Sequence, residues 1–356
     1  MTIVKFRNIC RTTIDFAPHL TLLVGDNGQG KTNTLEAIYV LLTGTSFRAA
    51  ADRELMPESG PSSTNGTTSD TMRLEGLVRK DHQGMIKVSH QMSQQPQRKK
   101  HDGPVLPVVI FSPDDVQLSK GSPQGRRRFL DWLIAPIDGR YLRLFRHYHR
   151  ALLQRNKALK DPHLAPTISS FTPLLAQSGT YLWERRLRVL QDVVPLAQKI
   201  FHELTGVRLD VRFVPGGVAD AITEAIRYEE ILNARQTEEQ QKGITLIGPH
   251  RDDIIFEIDG LKAIDYASQG QHRAIALSMK LASFEILERE TNMTPVVLLD
   301  DVLSELDPTK RSRLLTLIAR SRPQTIVTDT EARNYENLDP IIYRVDQGLL
   351  TKQEIQ

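Results

Sequence analysis

The octapeptide "GDNGQGKT", Gly25 to Thr32, restricts the fold of this chain more than any other stretch. It matches G-x-x-x-x-G-K-[ST], a turn that works only between the end of a strand and the start of a helix. Both neighbours are present. "HLTLLVG" is a short apolar run ending in glycine, and "KTNTLEAIYVLLTG" sets Leu35, Ile38, Tyr39 and Leu42 at helical spacing, with Gly44 just past the end. Gly25, Gly28 and Gly30 let the backbone bend until successive N–H groups point inward around phosphate oxygens. The helix start adds its partial positive charge. Lys31 is expected to reach the β- and γ-phosphates of a nucleotide, and the Thr32 hydroxyl to ligate Mg2+. The plain alternative is a glycine-rich turn with a solvated lysine, which the flanking strand and helix argue against.

"PVVLLDDVLSELD" supplies the matching half. Val296 to Leu299 form an apolar, buried-type strand with Asp300 and Asp301 at its C-terminal end, where ligands sit in open parallel sheets. Asp300 is suited to hold Mg2+ through water, and Asp301 to polarise an attacking water. Alone, the two would read equally well as a strand-ending turn or a helix cap.

"DYASQGQHRAIALSMKLASFEILE" raises a second anion question. Ser268 precedes a long helix and Gln271 follows three residues later, the spacing of a capping box. Capping gives no reason for Gly270, a poor helix former.

Around these motifs the 356 residues alternate between strand and helix texture. "RLEGLVRK" and "MIKVSHQM" read as a hairpin, "PVLPVVIF" and "VRLDVRFV" as strands, and "GITLIGPHRDDIIFEI" as strand texture. The polar tract 57–70 reads as a mobile loop. From about 112 to 243 the patterns are mostly helical, and the end runs helix (271–290), strand (296–299), helix (308–320), strand (325–328). The expected fold is α/β, a largely parallel sheet interrupted by a helical insertion. One cysteine, Cys10, excludes an intrachain disulfide and a thiolate zinc site. No secretory leader or membrane-length apolar run is seen, so a cytoplasmic protein without a membrane partner is expected.

The net charge of +3 is too small to name a partner, but basic residues cluster locally. Between 126 and 160 stand Arg126, Arg127, Arg128, Arg140, Arg143, Arg146, Arg150, Arg155, Lys157 and Lys160, opposed only by Asp131 and Asp138. On one helix Arg143, Arg146, Arg150 and Lys157 share a face, opposite an apolar stripe of Tyr141, Phe145, Tyr148 and Leu152. Such a row suits duplex phosphates without reading sequence, or it is a solvated helix face. In "GPHRDD", His250, Arg251, Asp252 and Asp253 read as a local ion-pair network rather than a metal site, which would need ligands from elsewhere.

The stretches "FRNI", "GDNGQGKTNTLEAIY", "FSPDDVQLSKGSPQGRRRFLD", "YLRLFRHYHRALLQRNKALK", "GPHRDD", "ASQGQHRAIALSMKLA" and "LLDDVLSELDPTKR" together resemble the RecF family of bacterial DNA-repair ATPases. These are relatives of SMC proteins within the ABC ATPase superfamily. The resemblance implies an ABC-type P-loop ATPase lobe built from 1–111 and 246–356, with an inserted mainly helical lobe at 112–245. It places ATP on Gly25, Asp26, Asn27, Gly28, Gln29, Gly30, Lys31 and Thr32, with Arg7 and Asn8 nearby. It assigns Mg2+ to Thr32 and Asp300, and the base position to Asp301. Ser268, Gly270 and Gln271 become the signature that meets the γ-phosphate held by a second copy, and Glu305 with Asp307 a dimer-contacting loop.

The implied activity is weak, Mg2+-dependent ATP hydrolysis in a homodimer that closes with ATP on double-stranded or gapped DNA. RecO and RecR proteins are the implied partners in recombinase loading, with support for the SOS response and replication. Three departures from the wider ABC pattern stand out. Asp301 replaces a glutamate, Asp329 occupies the switch-histidine position, and segment 92–107 is shorter and more basic than expected. The first two leave open a nucleotide-switched adaptor without turnover. The roughly 235 residues between Lys31 and Ser268 argue against a transport-coupling ATPase, whose insertion is much smaller.

Overall fold

The computed structural model describes residues 1–49, 52–57, 71–80, 84–94, 97–303, 310–311, 314, 316, 322–331 and 340–353. They divide into two units, 1–113 with 287–356, and 114–286. The expected loop at 57–70 and the helix at 308–320 fall largely outside the described residues.

The first unit begins with β1 (Thr2–Phe6), β2 (Ile9–Thr13) and β3 (Leu20–Val24), then α1 (Lys31–Thr43). β4 (Thr71–Lys80), β5 (Gly84–Gln94), β6 (Gln97–Asp102) and β7 (Val108–Phe111) follow. The second unit holds α2 (Gln117–Lys120), α3 (Pro123–Ile134), α4 (Gly139–Lys160), α5 (Ile168–Thr205), β8 (Leu209–Val214), α6 (Ala225–Ala234), α7 (Gln236–Lys242), β9 (Asp253–Ile258), β10 (Leu261–Lys262) and α8 (Ala263–Tyr266). α9 (Gln269–Thr291) starts there and ends among residues of the first unit, which β11 (Val296–Asp300), β12 (Thr325–Asp329), β13 (Ile341–Asp346) and β14 (Leu349–Gln353) complete.

Six strands of the first unit form one sheet in the order β14-β13-β3-β12-β11-β7. Every neighbouring pair is parallel except β13–β14. All five residues of β3 are buried, as a strand covered on both faces requires. The other sheet, β2-β1-β4-β5-β6, is antiparallel throughout. α1 packs against strands of both sheets, and everything from Thr34 to Thr43 is buried. A helix walled in on two sides is apolar around most of its circumference, which "LEAIYVLL" satisfies.

The basic segment in question at 92–107 supplies β6, the edge of the antiparallel sheet. Its exposed Lys99 and Lys100 charge that edge, which discourages another strand from adding to it.

In the second unit α4 and the 38-residue α5 pack along each other, and β8, β9 and β10 make a small antiparallel sheet. The expected lobe boundary at 245 falls inside this unit, because β9 pairs with β8 along its length.

Candidate nucleotide site and signature helix

In the parallel sheet β12 lies between β3 and β11, and the register sets Asp329 beside Val24 and Thr328 beside both Leu23 and Asp300. The strand ends that carry the phosphate loop and the acidic pair therefore open on one edge of the sheet. Gly28 and Gly30 adopt φ of 82° and 113°, in the left-handed region. A Cβ on Gly30 would sit 2.8 Å from Asn8 Nδ2, and one on Gly25 would sit 2.3 Å from the Val345 carbonyl oxygen.

Asn8 Nδ2 donates to the Gln29 carbonyl at 3.2 Å, and the Gly348 N–H donates to the same oxygen at 2.8 Å. Asp26, Asn27 and Gly28 form the exposed tip of the loop. Lys31 is 4% exposed, and its Nζ donates to Gly25 O at 2.7 Å and to Asp26 O at 3.3 Å. Of the two residues expected near the loop, Asn8 touches it. Arg7 turns instead to Glu36 on α1, donating from Nη2 to Oε1 at 2.9 Å. Glu36 is fully buried and also accepts from Ser46 and from Arg48. Sequence reasoning passed over this carboxylate; its one signal is a charge inside an otherwise apolar helix.

Thr32 Oγ1 donates to Asp300 Oδ1 at 2.8 Å across 268 residues of sequence. A hydroxyl and a buried carboxylate at that distance form the oxygen-donor pair that Mg2+ accepts, so the residues fit the expected ion. Burial pushes the Asp300 carboxyl above its ordinary range, against the hydrogen bonds from Thr32 and Thr328; the Asp301 charge also pushes it up. Asp301 takes φ of 51°, and its N–H donates to Thr328 Oγ1 at 2.9 Å. Asp329, expected at the switch position, caps its own turn by accepting the Thr330 N–H at 2.6 Å. Glu305 and Asp307 lie outside the described residues.

In the second unit the start of α9 is capped reciprocally. Ser268 N–H donates to Gln271 Oε1 at 2.9 Å and Gln271 N–H to Ser268 Oγ at 3.2 Å. Ser268, Gln269 and Gly270 are exposed, which leaves this helix start open to an anion. One residue on, His272 is buried with Nδ1 2.8 Å from Ser119 Oγ, and Lys280 pairs with Asp115. Burial first, and then Lys120, push the His272 imidazole below its usual range. These two links tie α9 to the segment around α2.

The basic cluster separates into two sets. Arg126, expected in the exposed row, is 5% exposed; it pairs with Asp253 and donates to Gly121 O at 2.7 Å, so it is a packing residue. Arg127 is half-buried and donates to the Asp252 carbonyl at 2.8 Å. Arg155 is fully buried against Glu239 at 2.7 Å, and Arg140 lies 4.5 Å over the Tyr181 ring. Arg128 is exposed. Arg143, Arg146, Arg150 and Lys157 are exposed on α4, and among the described residues none of the four makes an ion pair or hydrogen bond.

"GPHRDD" is a buried network. Asp252, fully buried, accepts from Arg186 Nη1 at 2.7 Å, Trp183 Nε1 at 2.8 Å and Gly216 N–H at 2.8 Å. Arg186 also donates to Asp131 Oδ1 at 2.7 Å, joining α3, α5 and the turn before β9. His250 Nδ1 lies 2.6 Å from Tyr148 OH, and burial pushes its pKa down to about 3, so it stays neutral at physiological pH. Among the described residues no group of three His, Cys, Asp or Glu side chains is placed to hold a metal.

The family model of the RecF/RecN/SMC N terminal domain matches residues 1–349. DNA replication and repair protein RecF of Staphylococcus aureus strain USA300 is 36% identical over 371 aligned positions, covering 98% of both chains. A solved structure described as the recombination mediator protein RecF-ATP in the RecFOR pathway superposes with TM-score 0.85 at 28% identity, covering 99% of this chain and 96% of that one. An Smc head domain from Pyrococcus furiosus, at TM-score 0.51 and 16% identity, shares the fold. A family model matched over residues 1–349, with a relative 36% identical across 98% of both chains, means that this chain belongs to the RecF family of RecF/RecN/SMC N-terminal domain proteins.

Proposed function

We propose that the chain is a DNA-binding ATPase of recombinational repair and replication whose ATP-bound form pairs with a second copy on duplex or gapped DNA. Slow hydrolysis with Mg2+ reopens the pair. The observation that carries the reading is the Thr32–Asp300 contact at 2.8 Å, which assembles a phosphate loop and a metal-binding carboxylate from opposite ends of the chain. The relatives' names, a replication and repair protein and a mediator solved with ATP, support the biological setting.

When bound, Mg2+ would neutralise phosphate charge between Thr32 and Asp300. Lys31 would shift from its loop carbonyls to phosphate oxygens, and Asp301 would orient the attacking water. In the pair, the open start of α9 at Ser268 and Gly270 meets the γ-phosphate held by the other copy, so ATP supplies contacts that only the closed form makes. RecO and RecR proteins are the partners this reading names for recombinase loading and SOS induction.

The test is dimer mass and duplex-DNA affinity with ATP or ADP, for the wild type and Ser268→Arg. Ser268→Arg removes a cap worth roughly 1 kcal/mol and fills the helix start with a cation and bulk. It is expected to bind ATP, remain monomeric and lose the ATP-dependent gain in DNA affinity. DNA affinity that ignores nucleotide in the wild type would defeat the clamp and favour the adaptor, a reading that the self-capped Asp329 keeps in play.

For DNA contact the proposed row is Arg143, Arg146 and Arg150 with Lys157 on α4; Arg127 and Arg128 flank it in sequence, and Arg126 drops out. Replacing the three arginines of the row by glutamine is expected to reduce the slope of log affinity against log salt by about 0.9 per lost phosphate contact, equally for unrelated duplex sequences. An unchanged slope would return the row to the status of a solvated face.

A further inference from the structure

The expected machinery of the acidic pair is Asp300 and Asp301, with the switch position at Asp329. The side chain that joins the two acidic residues is neither of these. Thr328 is 2% exposed and is the penultimate residue of β12. Its register partner on β11 is Asp300, and in a parallel pair two such residues point to the same side of the sheet. The hydroxyl therefore reaches the carboxylate without leaving the strand.

A hydroxyl has one proton to donate and lone pairs with which to accept. Thr328 Oγ1 accepts the Asp301 N–H at 2.9 Å. Its candidate acceptors are Asp300 Oδ1 at 3.0 Å, Asp301 Oδ1 at 3.3 Å and Leu299 O at 3.4 Å, and the shortest contact takes the proton. Asp300 Oδ1 then carries two hydroxyl donors, Thr328 and Thr32. On the other side, the hydrogen bond from the Asp301 N–H to Thr328 pins the turn at which Asp301 enters the left-handed region, a conformation that a residue with a side chain adopts only when its surroundings hold it there. The neighbouring Asp329 carboxylate accepts the N–H groups of Thr330 and Glu331 in its own turn.

We infer that Thr328 is the positioning residue of the acidic pair, fixing the Asp300 carboxylate relative to the backbone turn that carries Asp301 through one hydroxyl. The inference rests on the ATPase reading above. It adds that the ordering task at the end of β12 belongs to Thr328, one residue before the position where the wider ABC pattern has its histidine.

Thr328→Val keeps shape and β-branching and removes only the hydroxyl. Two groups, the half-buried Asp301 N–H and the buried Asp300 Oδ1, each lose a partner. With purified full-length protein, ATP turnover is expected to fall ~10–100-fold, since small misplacements of reacting groups have effects of that order. The Mg2+ concentration for half-maximal ATP binding is expected to rise, because Asp300 Oδ1 keeps only the Thr32 donor. ATP affinity in EDTA is expected to stay within about twofold of wild type, because the phosphate loop is untouched. Thr328→Ser, which keeps the hydroxyl, recovers most of both losses.

Equal turnover and equal Mg2+ half-saturation in Thr328→Val and wild type would overturn the inference. So would a serine variant as impaired as the valine one, since that would make the methyl group the important feature. If the valine variant does not fold, Thr328→Ala removes the same hydroxyl and carries the same expectation. A wild type that binds ATP but never hydrolyses it would remove the ATPase reading, while the Mg2+ titration would still decide the role of Thr328.

Discussion

Lys31→Met is expected to lose ATP affinity by ~10²–10³-fold with little change in thermal stability. The lysine ammonium is the one full positive charge that the phosphate loop itself holds at its mouth, 2.7 Å from the Gly25 carbonyl. A unit-charge pair at about 4 Å is worth roughly 4 kcal/mol at an effective dielectric near 20. At 1.4 kcal/mol per tenfold that sets an upper bound close to three decades. The fold should survive, because the loop tip at Asp26 to Gly28 is exposed and water can replace the ammonium on its carbonyls. Titration of a fluorescent ATP analogue beside a thermal melt reads both quantities. Affinity within threefold of wild type would take Lys31 out of the site.

The second large effect is expected in Asp301→Asn. Asparagine is isosteric and tolerates the left-handed region, so the turn at φ 51° and the hydrogen bond from its N–H to Thr328 should persist. On the proposed reading the variant loses the carboxylate that acts on the attacking water, a contribution of ~10²–10⁴ in rate. ATP binding should remain, so the ATP-bound pair should persist and stay on DNA long after the wild type has released it. Single-turnover hydrolysis and dimer lifetime after removal of free ATP test this together. Hydrolysis at the wild-type rate would show that another group acts on the water; absent wild-type turnover would favour the adaptor.

Both residues belong to the part of the site that was legible beforehand. The phosphate loop, the acidic strand end and the Ser268–Gln271 cap are each written within a few consecutive residues, where spacing dictates geometry. The strand–loop–helix around Gly25–Thr32 and the hairpin of β4 and β5 follow from such local patterns. What stayed hidden depends on partners far away in sequence. Arg126 looked like one more surface arginine until Asp253, from a distant strand, was found beside it. Thr328 reads as an ordinary β-branched strand residue; only the insertion of β12 between β3 and β11 makes its hydroxyl part of the site. Asp252 was legible as part of a network, but its main partner, Arg186, sits in the middle of a 38-residue helix without any local signal.

The strand order also sets a schedule for synthesis. Both neighbours of β3 in the sheet, β12 and β13, are encoded about 300 residues after it, beyond the whole second unit. At a ribosomal pace of ~5–20 residues per second, the strand bearing the phosphate loop waits roughly 15–60 seconds for its first partner. During that interval an apolar strand with two open edges is present on the nascent chain, a known invitation to aggregation. The second unit, continuous from 114 to 286, can fold as it emerges. A ribosome that stalls or terminates before β12 therefore releases a chain that has its phosphate-loop sequence but no partner strand beside β3, and such a fragment is a natural substrate for chaperones and proteases.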